Sequence, residues 1–208
     1  MPLSHLSPMP SRRSFLTVAA GVAVGATAAP VLVPVERLLP RAAAQQLDGA
    51  GFAAFGESLE LAVVEAYDGI VDLLSSDLAA VADGFVDHHR EHAEAFAELA
   101  GERATGQANG PLLEALTPQI EELGTQSAAL ALAKNTENQI VATYAWALSQ
   151  LADDAAASLA ATILPAESAH AATLGHILGE GIEGAFPFGA FESADIANGL
   201  DPNVFPAS

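Results

Sequence analysis

The sequence predicts an all-α protein organised as a four-helix bundle with a long crossover and an irregular C-terminal tail, and three observations carry that prediction. Ala, Leu and Glu dominate residues 51–178, Pro is scarce there and no alternating β-branched run appears, so propensity and pattern both favour helix. Apolar residues recur at helical spacing along four segments, leaving acids on the opposite faces. The residues able to do chemistry also repeat. Glu60 precedes His92 by 32 residues and Glu137 precedes His170 by 33, and each Glu is followed seven positions on by a tyrosine, Tyr67 or Tyr144.

In chain order, residues 1–44 read as an address rather than as fold. Ser11-Arg12-Arg13-Ser14-Phe15-Leu16 resembles a twin-arginine export signal, and an apolar Ala/Val/Gly run follows to Val35. Arg37 and Arg41 then lead to Ala42-Ala43-Ala44, small residues suited to cleavage. A membrane anchor is the competing reading, weakened by Pro30 and Pro34. Cleavage near Ala44 is therefore expected, with membrane contact only through the signal. The resemblance implies export to the periplasm, cell wall or medium as folded cargo, often already carrying a cofactor.

Removing that segment takes four of the seven basic residues and one of the 26 acids, leaving a formal charge of −22 over 164 residues. Such a surface repels nucleic acid and anionic lipid and attracts cations diffusely, and it equally serves solubility or life in high salt. There is no cysteine, which excludes disulfides and thiolate metal sites. The remaining length suits one domain.

Four helices are expected near 51–75, 78–102, 125–152 and 154–178, with Asp77 and Asp153 as N-caps of the second and fourth. In the first, Glu60 shares a stripe with Gly56, Val63, Val64, Tyr67, Val71 and Leu74, whereas Glu65 lies with Asp68 and Asp72 on the solvent face. In the second, Phe85, His89, His92, Phe96 and Leu99 form the inner stripe. In the third, Glu137 keeps company with Ala133, Ile140, Val141, Tyr144, Leu148 and Leu151. In the fourth, Glu167 and His170 lie with Ile163, Leu174 and Ile177, and Pro165 is expected to kink the helix just before Glu167. His176 falls well around the helix from His170 and reads as a surface residue or a partner for the helix C-terminus.

The link over 103–124, with a Gly/Asn-rich start, Pro111 and a short helical piece, is long enough to run the length of the bundle as a crossover. A short loop at one end would also leave the repeated residues level. Residues 179–208 are rich in Gly, Pro and Phe, with Phe186, Phe188, Phe191 and Phe205 as candidate anchors of a tail packed on the bundle.

The spacing has a geometric meaning. Glu60 and His92 each lie 16 residues from Ser76 in the turn Ser75-Ser76-Asp77, while Glu137 and His170 lie 16 and 17 from Asp153. In an antiparallel hairpin, equal counts put residues at one height, on the order of 24 Å from the turn. Three inward acids at one level are costly unless paired with cations, and only Arg90, Arg103 and Lys134 remain in the mature region to pair with them.

With these residues in hand, the stretch 50–178 resembles the ferritin-like superfamily, in particular its exported bacterial members. That family's di-metal bundle takes a Glu from each of two helices and a Glu-x-x-His pair from each of the other two. Glu60 and Glu137 match the single acids, and Glu167-Ser168-Ala169-His170 matches one pair in full. The other departs: the aligned segment is His89-Arg90-Glu91-His92, with His where the bridging Glu belongs. His88 and His92 also share a helix face, but Phe85 and Phe96 mark His89 as the inward residue.

The resemblance implies a metal site of Glu60, His89, His92, Glu137, Glu167 and His170, with Tyr67 and Tyr144 donating hydrogen bonds to the carboxylates. It implies Fe or Mn, with Zn also suited to carboxylate and imidazole donors, held as one ion or two. The activities it implies are oxidation of Fe(II) or consumption of peroxide or O2. The missing fourth carboxylate equally suits a non-catalytic metal-binding, stress-protection or structural protein with a degenerate site. No helix beyond the fourth suggests a ferritin-type shell, so at most a small homo-oligomer is expected.

Overall fold

A computed structural model describes residues 48–181 and 199–207. The export signal expected over 1–44 lies outside the described residues, as do Phe186, Phe188 and Phe191. Among the described residues there are five α-helices and no strands: α1 (Gly49–Ile70), α2 (Ser76–Ala100), α3 (Gly110–Glu121), α4 (Gln126–Leu148) and α5 (Asp154–Ile177). Short 3₁₀ turns, Val71–Leu73 and Gly101–Arg103, tighten the ends of α1 and α2. None of the described helices is long and apolar enough to cross a membrane.

Helices α1 and α2 pack as one hairpin and α4 and α5 as the other. Two contacts fix how the hairpins meet. The Ser75 backbone N–H in the α1–α2 turn donates to Gln126 Oε1 at the start of α4, 2.7 Å away. At the far end, Gly49 at the start of α1 sits so close to Asp153, before α5, that an added Cβ would come within 2.6 Å of it. The chain therefore leaves α2 at one end of the bundle and enters α4 at the other, so α2 and α4 run parallel and the link must traverse the bundle. Helix α3 lies within that crossover and packs along α1, from Asn109 beside Ser58 to Ile120 beside Gly69.

Local chemistry explains most helix starts. Asn109, Thr125 and Asp153 each accept a hydrogen bond from the backbone N–H three residues on, capping α3, α4 and α5. Pro111 follows in the first turn of α3, where its missing N–H costs nothing. The expectation for Asp77 fails. Ser75 is the flanking residue of α2, extended at φ −64° and ψ 158°, and Asp77 falls inside the first turn, where its charge still complements the exposed N–H groups. Helix α4 also stops earlier than expected, at Leu148, which is the most exposed large apolar side chain of the described residues. The chain must unwind there to present Asp153 as the cap of α5. Helix α5 runs unbroken through Pro165.

One buried polar residue ties three distant segments together. The Asn109 amide donates to Ser58 Oγ and to the carbonyls of Phe205 and Pro206, while its oxygen caps α3. Leu200 is buried, and its N–H donates to Thr143 Oγ1 at 2.7 Å. Gly199 just before it lies against the α4 backbone so closely that any Cβ would meet Ala142 and Thr143 at 3.0 Å. Residues 199–207 thus dock on the bundle, with Phe205 against the core. Replacing Asn109 by Ala orphans the α3 start and several buried groups, and we expect a loss of about 2–4 kcal/mol in urea unfolding with the helical circular dichroism of the native state retained.

Candidate metal centre

The midsection of the bundle is polar inside an apolar sleeve. Glu60 on α1, His89 on α2, Glu137 on α4 and Glu167 on α5 are wholly buried, His170 on α5 nearly so, and His92 on α2 keeps 15 % of its side chain exposed. Phe52, Phe96 and Tyr144 pack edge-on or tilted against one another on one side of the cluster. Tyr67 and Phe85 close the other, with Phe85 stacked on His170 at a centroid distance of 4.2 Å. Gly56 makes room for the Phe96 ring, which a Cβ there would meet at 2.9 Å.

Equal counting along the hairpins does bring its residues level. His92 Nδ1 lies 3.7 Å from Glu60 Oε2, and His170 Nδ1 lies 3.6 Å from Glu137 Oε2. His89 spans the middle, with Nδ1 2.6 Å from Glu60 Oε2 and Nε2 3.2 Å from Glu137 Oε1. Glu167 faces both sides, Oε1 at 2.6 Å from His92 Nδ1 and Oε2 at 3.4 Å from His170 Nδ1. The six residues form two overlapping quartets that could each hold a metal ion: Glu60, His89, His92 and Glu167, and His89, Glu137, Glu167 and His170.

The donor set tests well against a cation. His92 Nδ1, Glu137 Oε2, both Glu167 oxygens and His170 Nδ1 are buried without a hydrogen-bond partner, although they stand at ion-pair distances from one another. Buried polar atoms rarely remain unpaired, and all of those among the described side chains except Asn138 Oδ1 belong to this cluster. The basic side chains of the described residues are engaged elsewhere: Arg90 with Asp87, Arg103 with Asp48 and Lys134 with Glu180. Among the described residues, no arginine or lysine is thus left to pair with the buried acids.

Two arrangements were not legible in the sequence. The tyrosines donate across the hairpins: Tyr67 on α1 to Glu137 Oε1 on α4 at 2.5 Å, and Tyr144 on α4 to Glu60 Oε1 on α1. Spacing places each tyrosine two turns from the Glu of its own helix but cannot say that it serves the other. His88, passed over in favour of His89, is exposed, yet its Nδ1 lies 2.9 Å from His170 Nε2 with the rings nearly parallel. It braces the buried imidazole from outside, as residues around metal-ligating histidines commonly do. Glu57 is a further buried acid that the pattern did not single out, and it accepts the Thr105 and Gly106 N–H groups as part of the scaffold. His176 is exposed in the last turn of α5, as its position on the helix suggested.

Among known protein families, the model of the ferritin-like domain matches residues 53–180, more than half of the chain. No curated protein and no solved structure matches it.

The cluster carries its own counter-charges. Burial alone would raise the carboxylates, but the imidazoles of His89 and His92 hold Glu60 below its usual range, and those of His89 and His170 hold Glu137 far below it. Glu167 moves the other way, raised by burial and by the charge of Glu60 against the pull of its histidines. Burial lowers each histidine, yet the carboxylates prevail: Glu137 and Glu167 raise His89 well above 6.5, Glu167 and Glu60 bring His92 to about 9, and Glu137 and Glu167 raise His170. Burial and the neighbouring carboxylates also raise both tyrosines, keeping them protonated as donors. The sign for stability follows. A histidine raised on folding stabilises fully below its unfolded value of 6.5 and loses that contribution as pH climbs through the folded value, about 9 for His92. The melting temperature of chelator-treated protein should therefore fall by roughly 5 °C or more between pH 6.5 and pH 9.5, as read by thermal denaturation. Acidification from pH 6 destabilises as Glu60 and Glu137 become protonated, more gently because Glu167 opposes them.

Proposed function

This chain belongs to the ferritin-like domain family, and from that premise we propose that the buried cluster is a centre for one or two Fe or Mn ions, with Zn compatible with the same donors. The observation that carries the reading is the convergence of three buried carboxylates and three imidazoles whose unpaired atoms face one another, with no arginine or lysine among them. A metal bound there would supply redox chemistry and an open coordination position for O2 or peroxide. The chain's own contribution is to hold and orient. Tyr67 and Tyr144 fix one oxygen each of Glu137 and Glu60, leaving the second of each turned toward the imidazoles, Glu60 Oε2 to His89 and His92 and Glu137 Oε2 to His170. Phe85 and His88 fix the plane of His170. The aromatic layers exclude water, and the partly exposed edge of His92 gives small species a way in.

The proposed activity is oxidation of Fe(II) or consumption of peroxide or O2. A second reading, metal binding without turnover in a stress-protection role, is favoured by His89 standing where the family pattern has a carboxylate. After reconstitution and removal of loosely held ions, elemental analysis should find one or two ions per chain, and Glu60→Ala or His170→Ala should lower that content by at least half. Protein that retains no Fe, Mn or Zn would sink the metal reading. Oxygen-electrode and stopped-flow traces on the Fe(II)-loaded protein then separate turnover from storage.

Export through the twin-arginine route belongs to the same proposal, supported by the residues Ser11 to Leu16 and the small-residue stretch at Ala42–Ala44. In a bacterial host with that exporter, changing Arg12 and Arg13 together to Lys should trap at least nine-tenths of the protein inside the cell at full length, measured by fractionation and immunoblotting. Unchanged export of that variant would refute the route.

A further inference from the structure

The geometry points to His89 as a bridging ligand: its imidazole, deprotonated at both ring nitrogens, joins two divalent cations in this cluster, with Glu167 as the second bridge. The inference rests on the reading of the cluster as a metal centre and adds how the ions are linked.

Only two of the six residues belong to both quartets, His89 and Glu167, and each presents a different atom to each side. His89 Nδ1 faces Glu60 Oε2 at 2.6 Å and Glu167 Oε1 at 3.8 Å, while Nε2 faces Glu137 Oε1 at 3.2 Å. Glu167 does the same with its oxygens, Oε1 toward His92 and Oε2 toward His170. Assigning one atom to each side leaves Glu60 and His92 as terminal ligands of one ion and Glu137 and His170 as those of the other. Each ion then receives two nitrogens and two oxygens, a donor set suited to first-row divalent metals. The ring has no room to turn aside, being fully buried with Tyr67 at 5.8 Å and His92 at 6.1 Å, centroid to centroid.

Charge supports the same assignment. Two divalent ions bring four positive charges and the three carboxylates supply three negative ones, so a neutral His89 leaves one buried charge unbalanced. An imidazolate closes that gap and replaces the missing bridging carboxylate in one group. The proton balance is simple: the ring nitrogens of the cation-free cluster both face carboxylates as N–H donors, each ion would take the place of one of those two protons, and both protons leave to water with no change of oxidation state. A ring between the ions also holds them farther apart than the roughly 3.5–4 Å usual in two-metal sites.

Copper(II) is a suitable probe because it favours imidazole and carries one unpaired electron. The full chain, loaded with copper(II) alone and washed with a weak chelator, should hold two ions per chain. Its low-temperature electron paramagnetic resonance signal should integrate to well under one spin, because the bridge couples the pair. In His89→Gln the second ion should bind about 100-fold more weakly, or the spins should reappear in full. His89→Glu, which restores a carboxylate bridge and guards against a folding artefact, should keep two ions with a shorter metal–metal distance by X-ray absorption. Two uncoupled ions or a single ion in the wild type, or an unchanged coupled pair in His89→Gln, would overturn the bridge and leave the metal centre standing. Binding of no ion would remove both.

Discussion

Everything in this bundle is arranged around the cost of keeping three ionisable carboxyl groups out of water. A lone carboxylate in an apolar interior costs several kcal/mol even after relaxation, and three within hydrogen-bonding reach of shared partners would repel one another as well. The described residues include three permanent positive charges, Arg90, Arg103 and Lys134, and all three are spent on acids elsewhere. What remains is imidazole. His89, His92 and His170 supply protons when no cation is near and lone pairs when one is. A single set of side chains is thereby suited to two opposite electrostatic conditions.

That requirement explains why the sequence was so readable at the centre. Placing Glu60 level with His92 and Glu137 level with His170 needs only the rise of an α-helix and the position of a turn, both local properties. The inward direction of His89 followed from Phe85 and Phe96 on the same stripe, and burial of Glu167 from Ile163 and Leu174. These are matters of helical phase, which side-chain pattern records directly. The crossover was readable as a length, though its route needed the contact of Ser75 with Gln126 to be fixed.

Less local features were hidden for equally physical reasons. Which tyrosine serves which carboxylate depends on the relative rotation of two hairpins, and no spacing within one helix encodes it. His88 looked dispensable because it lies off the apolar stripe, yet a long side chain at the edge of a helix can reach a neighbour's ring while staying exposed. Asn109 and Glu57 sit in or beside the crossover, where polar residues are the norm. Only the packed structure shows that one grips residues near the end of the chain and the other a turn of backbone N–H groups. The misplaced cap at Asp77 is a smaller instance, since three adjacent capping residues, Ser75, Ser76 and Asp77, leave the starting point of a helix ambiguous by one turn position.

The crossed tyrosine contacts have a consequence for how the molecule comes apart. Each hairpin holds one phenol that finishes the environment of the other's acid, so neither half contains a complete shell on its own. Separating the halves exposes both acids at once and strands both phenols. Subglobal opening of a single hairpin is therefore disfavoured, and the slowest-exchanging backbone amides should lie on both sides of the midline and share one opening free energy.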